Sequence, residues 1–122
     1  MLKIEESPLK IKSEAFSDRI CKLYNFLRYE KKEKTLSEQI YRSGTSIGAN
    51  IAESRFAQSE ADFIHKLSIA LKEAGETEYW LGLLYKSSCI DESGYKSMKS
   101  DNTEIIKMLT SSIKTMKSKL GK

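Results

Sequence analysis

Thirteen residues, RSGTSIGANIAES from Arg42 to Ser54, concentrate groups that hold phosphate in other settings: two glycines, three serines, a threonine and an asparagine. A phosphate-cradling loop, however, ends its glycine-rich turn in Gly-Lys followed by Ser or Thr, because the lysine reaches the phosphates and the hydroxyl holds magnesium. Here Gly48 is followed by Ala49 and Asn50, and no strand-like run precedes the stretch. Ile40, Ile47 and Ile51 recur at helical spacing, and Gly44, Gly48 and Ala52 step alongside them four residues apart. The stretch therefore predicts a helix with a row of small residues that lets a neighbour approach closely. Each helical glycine costs about 0.5–1 kcal/mol relative to alanine, and close helix packing is the simplest offset.

Other chemistry-bearing residues are sparse. His65 is the single histidine, with Asp62 three residues before it, but spacing places no serine or cysteine nucleophile beside it. Cys21 and Cys89 have no metal-type spacing, and one histidine leaves too few ligands for zinc, so both read as reduced thiols. Glu53, Glu73, Glu76 and Glu78 suggest a carboxylate-bridged metal site, yet the Glu-x-x-His pairs that such bundles use are absent. The expectation is a protein that is not an enzyme and has no cofactor, metal or small-molecule substrate.

Charge offers more. The chain has 21 Lys and Arg against 17 Asp and Glu, a net +4, and the balance is uneven. Residues 1–34 carry nine basic and six acidic groups, 35–92 carry five and nine, and 93–122 carry seven and two. On a helical wheel Lys96, Lys99, Lys107, Lys114 and Lys117 fall within about 80° of arc, a ridge about 30 Å long. Such a ridge attracts phosphates without sequence preference. The ordinary alternative is the lysine-rich solvent face of an amphipathic helix. No exposed aromatic platform that would stack bases is evident in the sequence.

The elements that position these residues are helical throughout. A first helix is expected over 13–32, with Ser13 as N-cap and Phe16, Ile20, Leu23, Tyr24 and Leu27 on one stripe. A second, over 35–56, opens on the capping-box spacing Thr35 to Glu38. The third, over 60–88, follows the N-cap Ser59 and carries Phe63, Leu67, Leu71, Ala74, Leu81 and Tyr85 as its main stripe. The fourth, over 92–120, places Tyr95, Met98, Ile105, Leu109, Ile113, Met116 and Leu120 at threes and fours. Short connections favour an all-α, antiparallel, up-down-up-down four-helix bundle spanning 1–122 as one domain. Neither a signal-like N-terminus nor a membrane-length apolar run is present, so a soluble cytoplasmic protein is expected, with no membrane partner.

Two faces point to self-association. Arg42, Ser46, Ala49 and Glu53 line up as a polar seam opposite the isoleucines. Ile69, Trp80, Leu83 and Leu84 form a second apolar side on the third helix, and a helix apolar on two sides is central or carries an interface. Glu78 falls within the third helix's expected stripe, where a carboxylate must be paired or protonated, with Arg42 or Arg55 as candidate partners. It is grouped with Gly44, Gly48 and Ala52 as a helix-packing residue.

The segments QIYRSGTSIGANIAES (39–54) and DFIHKLSIALKEAGETEYWL (62–81) resemble the two hallmark motifs of the four helix bundle protein family. Its founding members are encoded by intervening sequences in bacterial large-subunit ribosomal RNA genes. The resemblance spans essentially the whole chain, the first and last helices matching in pattern. It implies a cytoplasmic bacterial protein, an antiparallel bundle and a ring-like homopentamer. A relative of the family is the accessory protein of diversity-generating retroelements, a basic pentamer that works with a reverse transcriptase and nucleic acid. The matching residues Arg42, Ser43, Gly44, Ser46, Gly48, Asn50 and Glu53 carry no assigned chemistry, and Gly75 replaces a residue that is often larger in relatives.

Together these readings predict a non-catalytic oligomeric bundle that binds RNA or DNA through basic ridges. The alternative is a self-assembling protein-interaction scaffold without nucleic-acid binding.

Overall fold

The computed structural model describes residues 7–121. Residues 1–6 and Lys122, which the expected 1–122 domain includes, lie outside the described residues. Four helices follow one another: α1 (Pro8–Asn25), α2 (Thr35–Ser54), α3 (Glu60–Lys86) and α4 (Glu92–Lys119), with a π-helical turn, Phe26–Glu30, continuing α1.

The helix starts are set by local chemistry. Ser7 is extended and accepts the Lys10 N–H, while Pro8 occupies the first turn, where its missing N–H costs nothing. The expected start at Ser13 is therefore too late. Ser13 lies inside α1, buried, with its hydroxyl donating to the Lys10 carbonyl. The expected capping box at Thr35 does not form either: Lys34 has no side-chain cap, and the Glu33 carboxylate accepts the Leu36 N–H at 3.0 Å. Ser59 does cap α3, accepting from the Asp62 N–H at 3.0 Å. The end of α1 differs too. Lys31 N–H reaches back five residues to the Phe26 carbonyl, the wide turn keeps Leu27 fully buried, and Lys32 then adopts φ 58° to reverse the chain.

Contacts between helices define the topology. Gly48 of α2 lies against Ser17, and Gly44 against Ile20, so α1 and α2 run in opposite directions. Ser43 meets Thr77 while Glu53 meets Lys66, which makes α2 and α3 antiparallel. Asn102 bonds Ala74 and Tyr95 stacks on Tyr85, so α4 reverses α3. Lys12 pairs Glu104 and Arg19 meets Ser97, closing the ring between α4 and α1. This is an up-down-up-down four-helix bundle around one shared apolar core that includes Phe16, Ile20, Ile47, Phe63, Leu81 and Ile105.

On α3 the buried row is Phe63, Leu67, Ala70, Ala74, Thr77, Leu81 and Leu84, an alternation of fours and threes. The expected row shares Phe63, Leu67, Ala74 and Leu81 with it and departs at Leu71 and Tyr85, because Ala70 and Thr77, small or polar, and Leu84 occupy core positions. Leu71 is only half-buried and Tyr85 is exposed.

Candidate nucleic-acid interface

α4 is anchored by its inner face and divided along its outer one. Asp91 caps it by accepting the Gly94 N–H at 2.8 Å, and Met98, Ile105, Leu109, Ile113 and Met116 enter the core. That anchoring leaves Lys96, Lys107, Lys114 and Lys117 exposed along one side, and Lys99 half-buried with its ammonium 5.6 Å from the Tyr95 ring centroid. Lys96 has an exposed partner, Glu92, at 2.7 Å. Among the described residues the other four ridge lysines have no carboxylate partner.

The other two acids of α4, Asp101 and Glu104, are spent on its opposite edge. Asp101 accepts from Lys12 at 2.9 Å and from Arg19 at 2.6 Å, and Lys12 also reaches Glu104 at 3.0 Å. Burial alone would raise the Asp101 carboxyl, but the hydrogen bonds and positive charges of Lys12 and Arg19 outweigh it and hold the group below its ordinary value. The same bonds from Asp101 and Glu104 raise Lys12. α4 thus presents a neutralised edge to α1 and, turned away from α1, a basic face on which Lys96 alone has a carboxylate partner among the described residues.

The polar seam of α2 is satisfied within the chain. Arg42 bonds both Glu73, at 3.4 Å, and Glu76, whose carboxylate also accepts from the Trp80 indole N–H at 3.3 Å. Glu53 pairs with Lys66 at 3.1 Å. Ser46 accepts from the Asn50 amide, and Ala49 is exposed. The predicted partnership of Glu78 with Arg42 is corrected: Arg42 turns to Glu73 and Glu76. Among the described residues Glu78 has no ion pair, because it sits half-buried at the α3/α4 edge rather than within the buried row. Arg55 does not reach it among the described pairs.

Gly44 and Gly48 admit α1. A Cβ on Gly44 would meet Ile20 atoms at 2.6–2.9 Å, and one on Gly48 would meet the Ser17 hydroxyl at 2.6 Å. Ala52, placed on the same row by spacing, is exposed and packs on nothing of that kind. Of the second apolar side of α3, Leu84 belongs to the core with 0% exposure, which removes it from the surface. Trp80 packs partly against the core, and Ile69 and Leu83 are half-buried.

Three features escaped the sequence reading. Asn102 is fully buried and donates 2.8 Å to the Ala74 carbonyl, with no protein donor reaching its own oxygen. Its signal was its place in the Met98–Ile105 row. Ser43 and Thr77 meet in the core at 2.9 Å. An aromatic platform does exist: Tyr85 and Tyr95 stack at 4.7 Å and 4°, which only the α3–α4 reversal brings about.

The fold and its motif-bearing helices define a small antiparallel helical bundle without strands among the described residues. The chain belongs to the 23S rRNA-intervening sequence protein family, whose model matches residues 5–111. It is similar to a crystal structure from the S23 ribosomal protein family of Bacteroides thetaiotaomicron, a protein of unknown function. Identity is 58%, coverage 87% of this chain and 95% of that one, and the TM-score 0.86. No curated protein matches the chain. No described helix is long and apolar enough to cross a membrane, and no described cluster of three or more His, Cys, Asp or Glu could hold a metal.

Proposed function

We propose that this protein is a non-catalytic, cytoplasmic, self-associating bundle that binds RNA or DNA by its phosphates along the α4 ridge, and that it is encoded within a large-subunit ribosomal RNA gene. The carrying observation is the partition of charge on α4. Asp101 and Glu104 are both engaged by α1, leaving Lys99, Lys107, Lys114 and Lys117 unneutralised on one edge. Self-association draws support from the apolar groups left outside, including Phe56 at 75% and Tyr79 at 61% exposure. A homopentamer, implied by the family resemblance, would set several ridges around one axis and sum their fields.

The test is fluorescence anisotropy with structured RNA, single-stranded RNA and duplex DNA across a salt series. The expected result is affinity that falls linearly with log salt and is abolished by Lys107→Glu, Lys114→Glu and Lys117→Glu together, with helicity and oligomer size unchanged. Unaltered binding by that variant overturns the ridge. The same exposed apolar groups favour a second reading, a scaffold for another protein. A pull-down that survives nuclease and recovers one partner supports it.

A further inference from the structure

Where α1 gives way to the π-helical turn and the α3–α4 connection crosses the end of the bundle, the helices frame a cavity of about 740 Å³ that is open to solvent on one side. That is within the roughly 300–1,000 Å³ of small-molecule sites. Leu23 and Phe26 line one side, and Tyr85, Ile90 and Met98 the other. Three cations stand in the wall, Arg19, Lys22 and Lys31. Its carboxylate, Asp91, is already occupied in accepting the Gly94 N–H. None of the ridge lysines contributes.

The cations differ in availability. Arg19 is committed to Asp101 and Ser97. Lys22 has only a long, exposed contact of 3.4 Å with Asp18. Lys31 has no carboxylate partner among the described residues, and its ammonium lies 5.7 Å from the Phe26 ring centroid. The π-helical turn brings that ring and that cation together, since the Lys31 N–H closes the turn on the Phe26 carbonyl. π-helical turns are frequent at functional sites. Across the cavity, Tyr85 is already stacked almost parallel on Tyr95, at 4.7 Å and 4°. A planar ring entering the cavity would meet two aromatic side chains, while an anionic group beside it would meet the Lys31 ammonium and that of Lys22, which is held only by the exposed Asp18.

We infer that this cavity binds a nucleoside monophosphate group, its base against Tyr85 and Phe26 and its phosphate between Lys22 and Lys31. A free mononucleotide and the 5′-phosphorylated end of an RNA strand share that chemistry. The site is separate from the α4 ridge and does not depend on it.

The test is calorimetry on the intact protein with AMP, adenosine, inorganic phosphate and octanoate, and with a short RNA strand bearing or lacking a 5′-phosphate. AMP or the phosphorylated strand is expected to bind, with adenosine, phosphate and octanoate each about tenfold weaker or more. Stronger binding of AMP assigns the free nucleotide, and stronger binding of the phosphorylated strand assigns the strand end. The exposed double variant Lys22→Gln, Lys31→Gln should weaken the better ligand about tenfold. Cys89, which lines the cavity, should react more slowly with a thiol reagent when AMP is bound, measured in a Cys21→Ser background. The proposal is overturned if neither AMP nor the phosphorylated strand binds, if octanoate matches them, if Cys89 is not protected, or if the ridge variant weakens AMP as much as the cavity variant. Failure here with salt-dependent binding of duplex retained leaves the ridge standing, and the reverse result separates the two in the other direction.

Discussion

Gly44→Ala tests whether the thinned face of α2 exists for α1. The new methyl would lie 2.6, 2.7 and 2.9 Å from Ile20 Cδ1, Cγ1 and Cγ2, against about 3.5–4.0 Å for carbons in contact. Ile20 has 0% exposure, so it cannot swing into solvent. Overpacking of this kind costs about 1–3 kcal/mol, offset by about 0.5–1 kcal/mol from removing a helical glycine. The net expectation is a loss of about 0–2.5 kcal/mol, centred near about 1 kcal/mol. Gly75→Ala is the matched control, because its methyl meets nothing within 4 Å and only the gain of about 0.5–1 kcal/mol remains. Urea unfolding at one protein concentration measures both, provided the slope stays constant. Ile20→Ala combined with Gly44→Ala should show a coupling of about 1 kcal/mol or more, since the truncation removes the three clashing atoms. A Gly44→Ala protein that gains stability as the Gly75→Ala protein does, or one with no coupling to Ile20, refutes the packing account.

Ser59→Ala should cost about 1 kcal/mol through the lost cap on the Asp62 N–H, and a change under a few tenths in urea unfolding would contradict it. Asn102→Leu should raise stability by about 1 kcal/mol, because it removes a buried amide oxygen with no protein donor while the Ala74 carbonyl keeps its helical bond. Any loss of stability counts against the burial argument. Asp101 has a lowered folded value, so its contribution is fully present above the unfolded value near 3.8 and is lost as pH falls through the lower folded one. The parent's urea midpoint should therefore drop more steeply below pH 4 than that of Asp101→Asn, and parallel curves would exclude this contribution. Lys12 has a raised value, so its contribution is complete below 10.5 and fades as pH rises through the higher folded value. Lys12→Met should flatten that alkaline loss.

Helix number, order and antiparallel pairing were legible because each helix carries its own apolar stripe and the connections are short. Gly44 and Gly48 were legible as a row of small residues. What failed did so for identifiable reasons. Ser13 looked like a cap, but Ser7-Pro8 offered both an extended cap and a favoured first residue six positions earlier. On α3 a search for large apolar residues selected Leu71 and Tyr85 over Ala70 and Thr77, rotating the perceived core face. That rotation placed Glu78 inside and Leu84 outside, when Leu84 is the buried one. Thr77 belongs in the core because Ser43 and the Glu73 carbonyl surround its hydroxyl, at 2.9 and 2.8 Å, and neither partner is visible from spacing within one helix. The π-helical turn and the Tyr85–Tyr95 stack depend on where the chain reverses, which residue types alone do not specify.

Charge on α4 shows how pairing rather than composition decides what a surface can do. The segment 93–122 holds seven lysines and two acids, and a chain with the same totals could place those acids among the lysines at i,i+4 spacing and present little field. Here Asp101 and Glu104 face α1, where Lys12 and Arg19 need them to close the ring of helices. The bonds that join the last helix to the first therefore also draw Asp101 and Glu104 away from the far edge, which keeps Glu92 beside Lys96 as its one described counter-charge. Lys107 lies more than about 8 Å along the helix from Lys99 and from Lys114, so its repulsion from them is largely screened at physiological salt, whereas Lys96 and Lys99, and Lys114 and Lys117, are neighbours at i,i+3 spacing. A polyphosphate running along the face would meet each ammonium in turn. The stability of the bundle and the basic character of the face that α4 turns away from α1 are thus linked through Asp101 and Glu104, while the third α4 carboxylate, Glu92, offsets Lys96 alone.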